Sequence, residues 1–150
     1  MKNLYEGATA TEVKERIARL TPECERQWGT MNAAQAMAHC SGAMEWAVGE
    51  TTPPRMFVGR IIGQLVKPMV IGNDTPMRRN APTAKTLIVT NQRDLKNEQN
   101  RLCTLIDRFA TAGAEKCTAH PHSFFGKLTA EEWAILMYKH LDHHLRQFGV

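Results

Sequence analysis

No stretch of this chain is long and apolar enough to cross a bilayer, which takes about 20 consecutive apolar residues. The longest weakly charged run, MFVGRIIGQLVKPMVIG, is interrupted by Arg60, Lys67 and Pro68. The opening stretch, MKNLYEGATATEVKERIARL, lacks the apolar core and small-residue cleavage site of a secretory signal. A cytoplasmic protein without a membrane partner is therefore expected. Cysteine is sparse, and the residues at 24, 40, 103 and 117 form no C-x-x-C pair and no zinc-ribbon spacing. Reduced thiols are expected rather than bridges. Basic residues are not clustered: the net charge of +4 is scattered, and the densest knot is Arg78 and Arg79. Nucleic acid is thereby disfavoured as a partner. There is no low-complexity block and no internal repeat. With 150 residues, 43% hydrophobic and 23% charged, residues 1–150 read as one domain with a real core.

What is present is helical patterning. Thr9 and Glu12 stand at capping-box spacing, and Val13, Ile17 and Leu20 share one face, so a first helix is predicted from near Thr9 to Thr21-Pro22. TPECERQWGT reads as a loop anchored by a buried Trp28. Asn32 with Gln35 predicts the start of a second helix, running to about Val48 and rich in Ala and Gly. Residues 49 to 90 fit no long element. They read as a crossover containing one short helix around MFVGRIIGQLV, and TLIVT has strand propensity without a partner. A further helix is expected from about Asp94 to Ala112, with Leu95, Leu102, Leu105, Ile106 and Phe109 as its apolar stripe and Gly113 ending it. The last opens on a capping box of Thr129 and Glu132 and runs to about Phe148. Four long helices and no convincing sheet predict an all-α bundle.

The last helix carries an anomaly. Three histidines fall at 140, 143 and 144. Residues four apart on a helix sit one above the other, with Cβ atoms roughly 5–6 Å apart. Trp133, Met137, His140, Leu141, His144, Leu145 and Phe148 therefore share a stripe, and His140 and His144 interrupt the apolar face. His143, about 60° from His140 around the axis, lies nearer the flank. Imidazoles in a core are costly unless their nitrogens are satisfied. One divalent ion can satisfy both, at roughly 2 Å from each. His39 is the only histidine on another predicted helix, among small residues, and is the candidate third ligand. Three histidines with one open position is the pattern of a reactive centre.

Plainer readings stand beside this one. A histidine pair at this spacing occurs by chance, and a neutral core histidine can bond a backbone carbonyl. Leu141 follows His140, which excludes the H-E-x-x-H protease helix. Asp142 and Gln147 are candidates to orient the ligands. His120 and His122 flank Pro121 and read as surface or packing residues, with His122 a secondary candidate for fourth ligand or proton carrier. Cys40, Trp28, Trp46, Trp133, Phe124, Phe125 and the methionines at 31, 37, 44 and 137 read as packing residues.

WGTMNAAQAMAHCSGAMEWAVGE together with HPHSFFGKLTAEEWAILMYKHLDHHLRQFG resembles a bacterial domain family of unknown function in the DinB/YfiT-like superfamily. The resemblance runs from about residue 9 to the end and includes H-x-x-H-H-x-x-Q at 140, 143, 144 and 147. It implies an up-down-down-up four-helix bundle with a long crossover between its second and third helices. It also implies a divalent metal, zinc or nickel, held by His39, His140 and His144. Homodimers are frequent among such proteins, and characterised relatives include thiol-dependent S-transferases and isomerases that use low-molecular-weight thiols. The function expected is thus that of a metal-dependent small-molecule enzyme, such as a thiol S-transferase. The alternative is a non-catalytic or structurally metallated helical binding module.

Overall fold

The computed structural model describes residues 1–150, which form five α-helices and no strand. Helix α1 spans Gly7–Ala18, α2 Ala33–Ala47, α3 Phe57–Ile71, α4 Leu95–Ala112 and α5 Ala130–Gln147. Short 3₁₀ turns occupy Lys85–Leu87 and Ala114–Lys116.

Two of the predicted caps are made as the side-chain chemistry requires. At α2 the Asn32 side chain accepts from the Gln35 amide at 2.9 Å, and the Gln35 side chain accepts from the Asn32 amide at 3.0 Å. Thr129 and Glu132 form the same reciprocal pair at α5. Each pair satisfies two of the amides that a helix start leaves without partners. The expected box at Thr9 and Glu12 does not form. Helix α1 begins earlier, at Gly7, so Thr9 lies inside its first turn and its hydroxyl donates to the Glu6 carboxylate at 2.9 Å.

Helices α1 and α2 each pack against both α4 and α5. The α2–α4 contact is the most extensive, because α2 presents Ala33, Ala36, Cys40, Ala43 and Ala47, and backbones approach closely over small side chains. Val13, Met37, Met44, Leu102, Ile106, Trp133, Leu141 and Leu145 fill the space between them. A buried charge cluster ties α1 to α5: the Arg16 guanidinium donates to Asp142 at 2.8 Å and to the Val150 carbonyl at 3.0 Å. Arg146 also reaches Asp142, at 2.7 Å, so the carboxylate keeps a partner if Arg16 is lost, and the cost falls below the roughly 3–5 kcal/mol of a stranded buried charge.

The crossover departs most from expectation. Its helix is not short: α3 runs for 15 residues and includes Pro68. TLIVT is no strand; its first half forms the 85–87 turn, which lies on α2. Helix α3 packs outside α5 and rests on the segment 122–126, where the His122 and Gly126 amides and carbonyls exchange hydrogen bonds at 2.8 and 3.1 Å. The contact is made backbone to backbone. A Cβ built on Gly59 would lie 2.4 Å from the Phe124 carbonyl oxygen, and one on Gly63 only 2.1 Å from it. Arg55 donates to the His122 carbonyl at 2.6 Å, Gln64 donates to the Phe125 carbonyl, and Lys67 pairs with Glu132 at 2.6 Å.

Gly63→Ala must therefore lift α3 from the 122–126 turn. The expected loss is about 1–3 kcal/mol of unfolding free energy, the usual cost of overpacking, read by urea denaturation. Gly7→Ala, whose Cβ meets nothing within 4 Å, serves as the neutral control.

Candidate metal centre

The inward stripe of α5 places His140 and His144 among Trp133, Met137, Leu141 and Leu145, while α2 supplies His39 from across the interface. The ring centroids form a nearly equilateral triangle: 4.9 Å from His39 to His140, 4.7 Å from His39 to His144 and 4.9 Å from His140 to His144. The planes meet at 64°, 65° and 85°, so the rings do not stack. One nitrogen from each lies within 4.8 Å of the others, close enough to hold a metal ion.

Hydrogen bonds decide which nitrogens are available. The Nδ1 of His39 lies 2.8 Å from the Leu87 carbonyl oxygen. A carbonyl only accepts, so Nδ1 carries the proton and Nε2 keeps its lone pair. The Nδ1 of His144 lies 2.9 Å from Oε1 of Gln147, whose Nε2 donates to the Trp28 carbonyl at 2.6 Å. That second bond fixes the amide's orientation, so His144 also protonates Nδ1 and frees Nε2. The Nε2 atoms of His39 and His140 stand 2.9 Å apart. Two lone pairs cannot face each other at that distance, so a proton on His140 or a cation must lie between them. Metal–nitrogen bonds of about 2.0–2.1 Å in a tetrahedron separate ligating atoms by about 3.4 Å. At 2.9 Å the His39–His140 pair is closer than this, so holding an ion requires these two nitrogens to part.

Two glycines make room for these tethers. A Cβ at Gly42 would stand 2.9 Å from Leu87 Cδ2, so its absence lets the 85–87 turn settle on α2 one turn from His39. Gly29, at φ +76°, leaves space that a Cβ would take at 2.6 Å from the Gln147 amide nitrogen.

Electrostatics favour the neutral ligand form. Burial lowers the pKa of His39 against the opposing effect of its Leu87 bond. Burial, then the neighbouring His39 and His144 rings, takes His140 well below the ordinary value, although one edge of the residue keeps some exposure. His144 is lowered to about 3, by burial first and then by His39. At neutral pH all three rings are uncharged donors.

The model for the family described as Protein of unknown function (DUF1569) matches residues 6–149. The chain belongs to that family. No curated protein and no solved structure matches it.

In this DUF1569 chain the other polar residues sort by geometry. Gln147, a candidate to orient a ligand, hydrogen-bonds the His144 ring at Nδ1. Asp142 does not: Arg16 at 2.8 Å and Arg146 at 2.7 Å take its carboxylate oxygens. His143 stays on the flank, beside Trp28. Trp28 is only partly buried, carrying the Arg79 guanidinium 4.2 Å over its ring, so it is not the core anchor the sequence suggested. His120 is exposed, as expected. His122 is wedged against Phe125, Trp133 and Trp46 at centroid distances of 5.0, 5.4 and 5.9 Å. Its Nδ1 accepts from the Phe124 and Phe125 amides, each at 3.2 Å, so the proton sits on Nε2. That tautomer makes His122 a donor and removes it from the ligand set. Leu87 and the Trp28 carbonyl are contributions that side-chain patterns could not reveal, since both act through the backbone.

The depressed histidines set a pH slope in metal-free protein. Unfolded histidine takes up its proton near pH 6.5, whereas folded His144 resists until about pH 3. The unfolded state therefore binds more protons between these limits, and stability falls as the pH drops. Urea unfolding in chelator should lose up to about 1.4 kcal/mol per pH unit for this group below pH 6.5. His144→Gln should flatten the slope; parallel curves would show that the ring titrates normally.

Proposed function

We propose that this protein is a metal-dependent enzyme acting on a small molecule, built on a DinB-like bundle in which α1, α2, α4 and α5 run up-down-down-up. The pairing of α1 and α2 each with α4 and α5, and the long crossover joining α2 to α4, support that arrangement. The observation that carries the proposal is the convergence of three neutral imidazoles whose Nδ1 protons are committed elsewhere at His39 and His144. His39, His140 and His144 are the ligands, through Nε2 at His39 and His144.

Bound there, a zinc or nickel ion would supply Lewis acidity, lowering the pKa of a thiol or water in an open fourth position. The chain's own residues perform the rest. Leu87 and Gln147 hold the rings in the ligating tautomer, which raises their basicity and fixes their direction. The apolar stripe of α5 excludes water and strengthens electrostatics at the site. No Ser-His-Asp arrangement is required, and a low-molecular-weight thiol transferred to a small electrophile is the reaction class this favours. The expected setting is cytoplasmic, and residues 1–150 act as one domain.

Elemental analysis of protein purified without an affinity tag, after incubation with zinc or nickel, should find about one ion per chain. His39→Ala and His144→Ala should abolish binding. Protein that stays metal-free would end the reading. Gln147→Ala should weaken affinity about 10–100-fold without removing a ligand.

One observation favours a second reading, a non-catalytic helical module. The 2.9 Å contact between His39 and His140 can be a plain hydrogen bond that satisfies both nitrogens without an ion. Under it, a screen of cellular thiols with electrophiles gives no turnover with or without chelator. The histidine substitutions then change stability alone.

A further inference from the structure

Helix α3 is turned inside out. Its glycines, Gly59 and Gly63, face the protein, and its largest side chains face away. Phe57, Ile61, Leu65 and Met69 recur every four residues and are 76%, 63%, 75% and 73% exposed. Val58 and Ile62 widen the stripe on one side. Single exposed apolar residues are ordinary, but six contiguous ones along a helix of about 22 Å mark a contact surface.

Charge indicates the occupant. Helix α3 carries Arg60, exposed, along one rim of the stripe, with Lys67 turned inward onto Glu132, and no acidic residue at all. Across residues 51–90 the charges are Arg55, Arg60, Lys67, Arg78, Arg79 and Lys85 against Asp74, a surplus of +5, while the whole chain carries only +4. The surplus arises because this segment, which bears the stripe, has only one acidic residue, Asp74, and Lys67 alone among its cations is paired with a carboxylate outside it, Glu132. Two copies meeting stripe to stripe would bring two such surpluses together. A negatively charged surface with an apolar layer beneath it accepts both features at once.

We propose that α3 lies in the surface of an anionic membrane, with Phe57, Ile61, Leu65 and Met69 entering the boundary between headgroups and acyl chains and Arg60 at the headgroup level. This is a helix lying on a bilayer and not one crossing it. No helix here is long and apolar enough to cross. It revises the expectation of a protein without a membrane partner. The protein-facing side of α3 is already fixed: Lys67 pairs with Glu132, and the Lys139 ammonium donates to the Val70 and Asn73 carbonyls at 2.5 and 2.8 Å. The stripe is therefore presented preformed, without the ordering cost of a free peptide.

Co-sedimentation with vesicles tests this, using phosphatidylcholine alone and phosphatidylcholine with one quarter phosphatidylglycerol. The wild-type chain should partition onto the anionic vesicles, and high salt or neutral lipid should release it. Ile61→Asp combined with Leu65→Asp should lower partitioning roughly a hundredfold, with an unchanged thermal unfolding midpoint. Phe57→Trp, a substitution at an exposed position, should show a blue shift of its added emission only with anionic vesicles. Absence of vesicle binding overturns the proposal. So does a dimer, seen by sedimentation equilibrium, that the double substitution dissolves, because the stripe then belongs to a second copy. Neither outcome depends on the three-histidine site, so this inference and the metal proposal fail separately.

Discussion

Everything around the three histidines follows from the fact that an imidazole has two nitrogens and a buried one needs both engaged. At His39 and His144 the chain engages Nδ1 with a fixed acceptor, and the remaining nitrogen then points at its neighbours. Desolvation keeps the rings neutral, and neutrality lets three of them crowd together without repulsion. Charged rings at centroid separations below 5 Å would drive α2 and α5 apart. The site and the helix interface are thus one electrostatic problem with one solution.

Much of this was legible in the sequence because it depends on side-chain spacing. The i,i+4 repeat put His140 and His144 on the inward stripe of α5, and the capping pairs at Asn32–Gln35 and Thr129–Glu132 set the phase of both helices that carry the three histidines. His39 was recognisable because it was the one histidine on another predicted helix. Gln147 was singled out by its position three residues after His144.

Other parts were illegible for definite reasons. The acceptors at Leu87 and Trp28 are carbonyls, which every residue possesses, so no letter marks them. TLIVT has the composition of a strand, but no second extended segment exists to pair with it, and the chain bends over α2 instead. Asp142 misled because two arginines, one of them 126 residues away in the chain, claim its oxygens. Helix α3 misled most. It was expected as a short element, yet it runs for 15 residues, and the glycines decide its orientation, since only they tolerate contact with the backbone at Phe124.

The crossover is fastened close to both of its ends before the chain enters α4. Met56 and Arg55 bind the 122–126 turn, and the 85–87 turn grips His39. Between these knots, the stretch 72–83 is exposed almost throughout. Insertions or deletions there would disturb the Asn73 bond to Lys139 and the Arg79–Trp28 contact while leaving both knots tied. Divergence can thus accumulate in a strap whose two buckles never move.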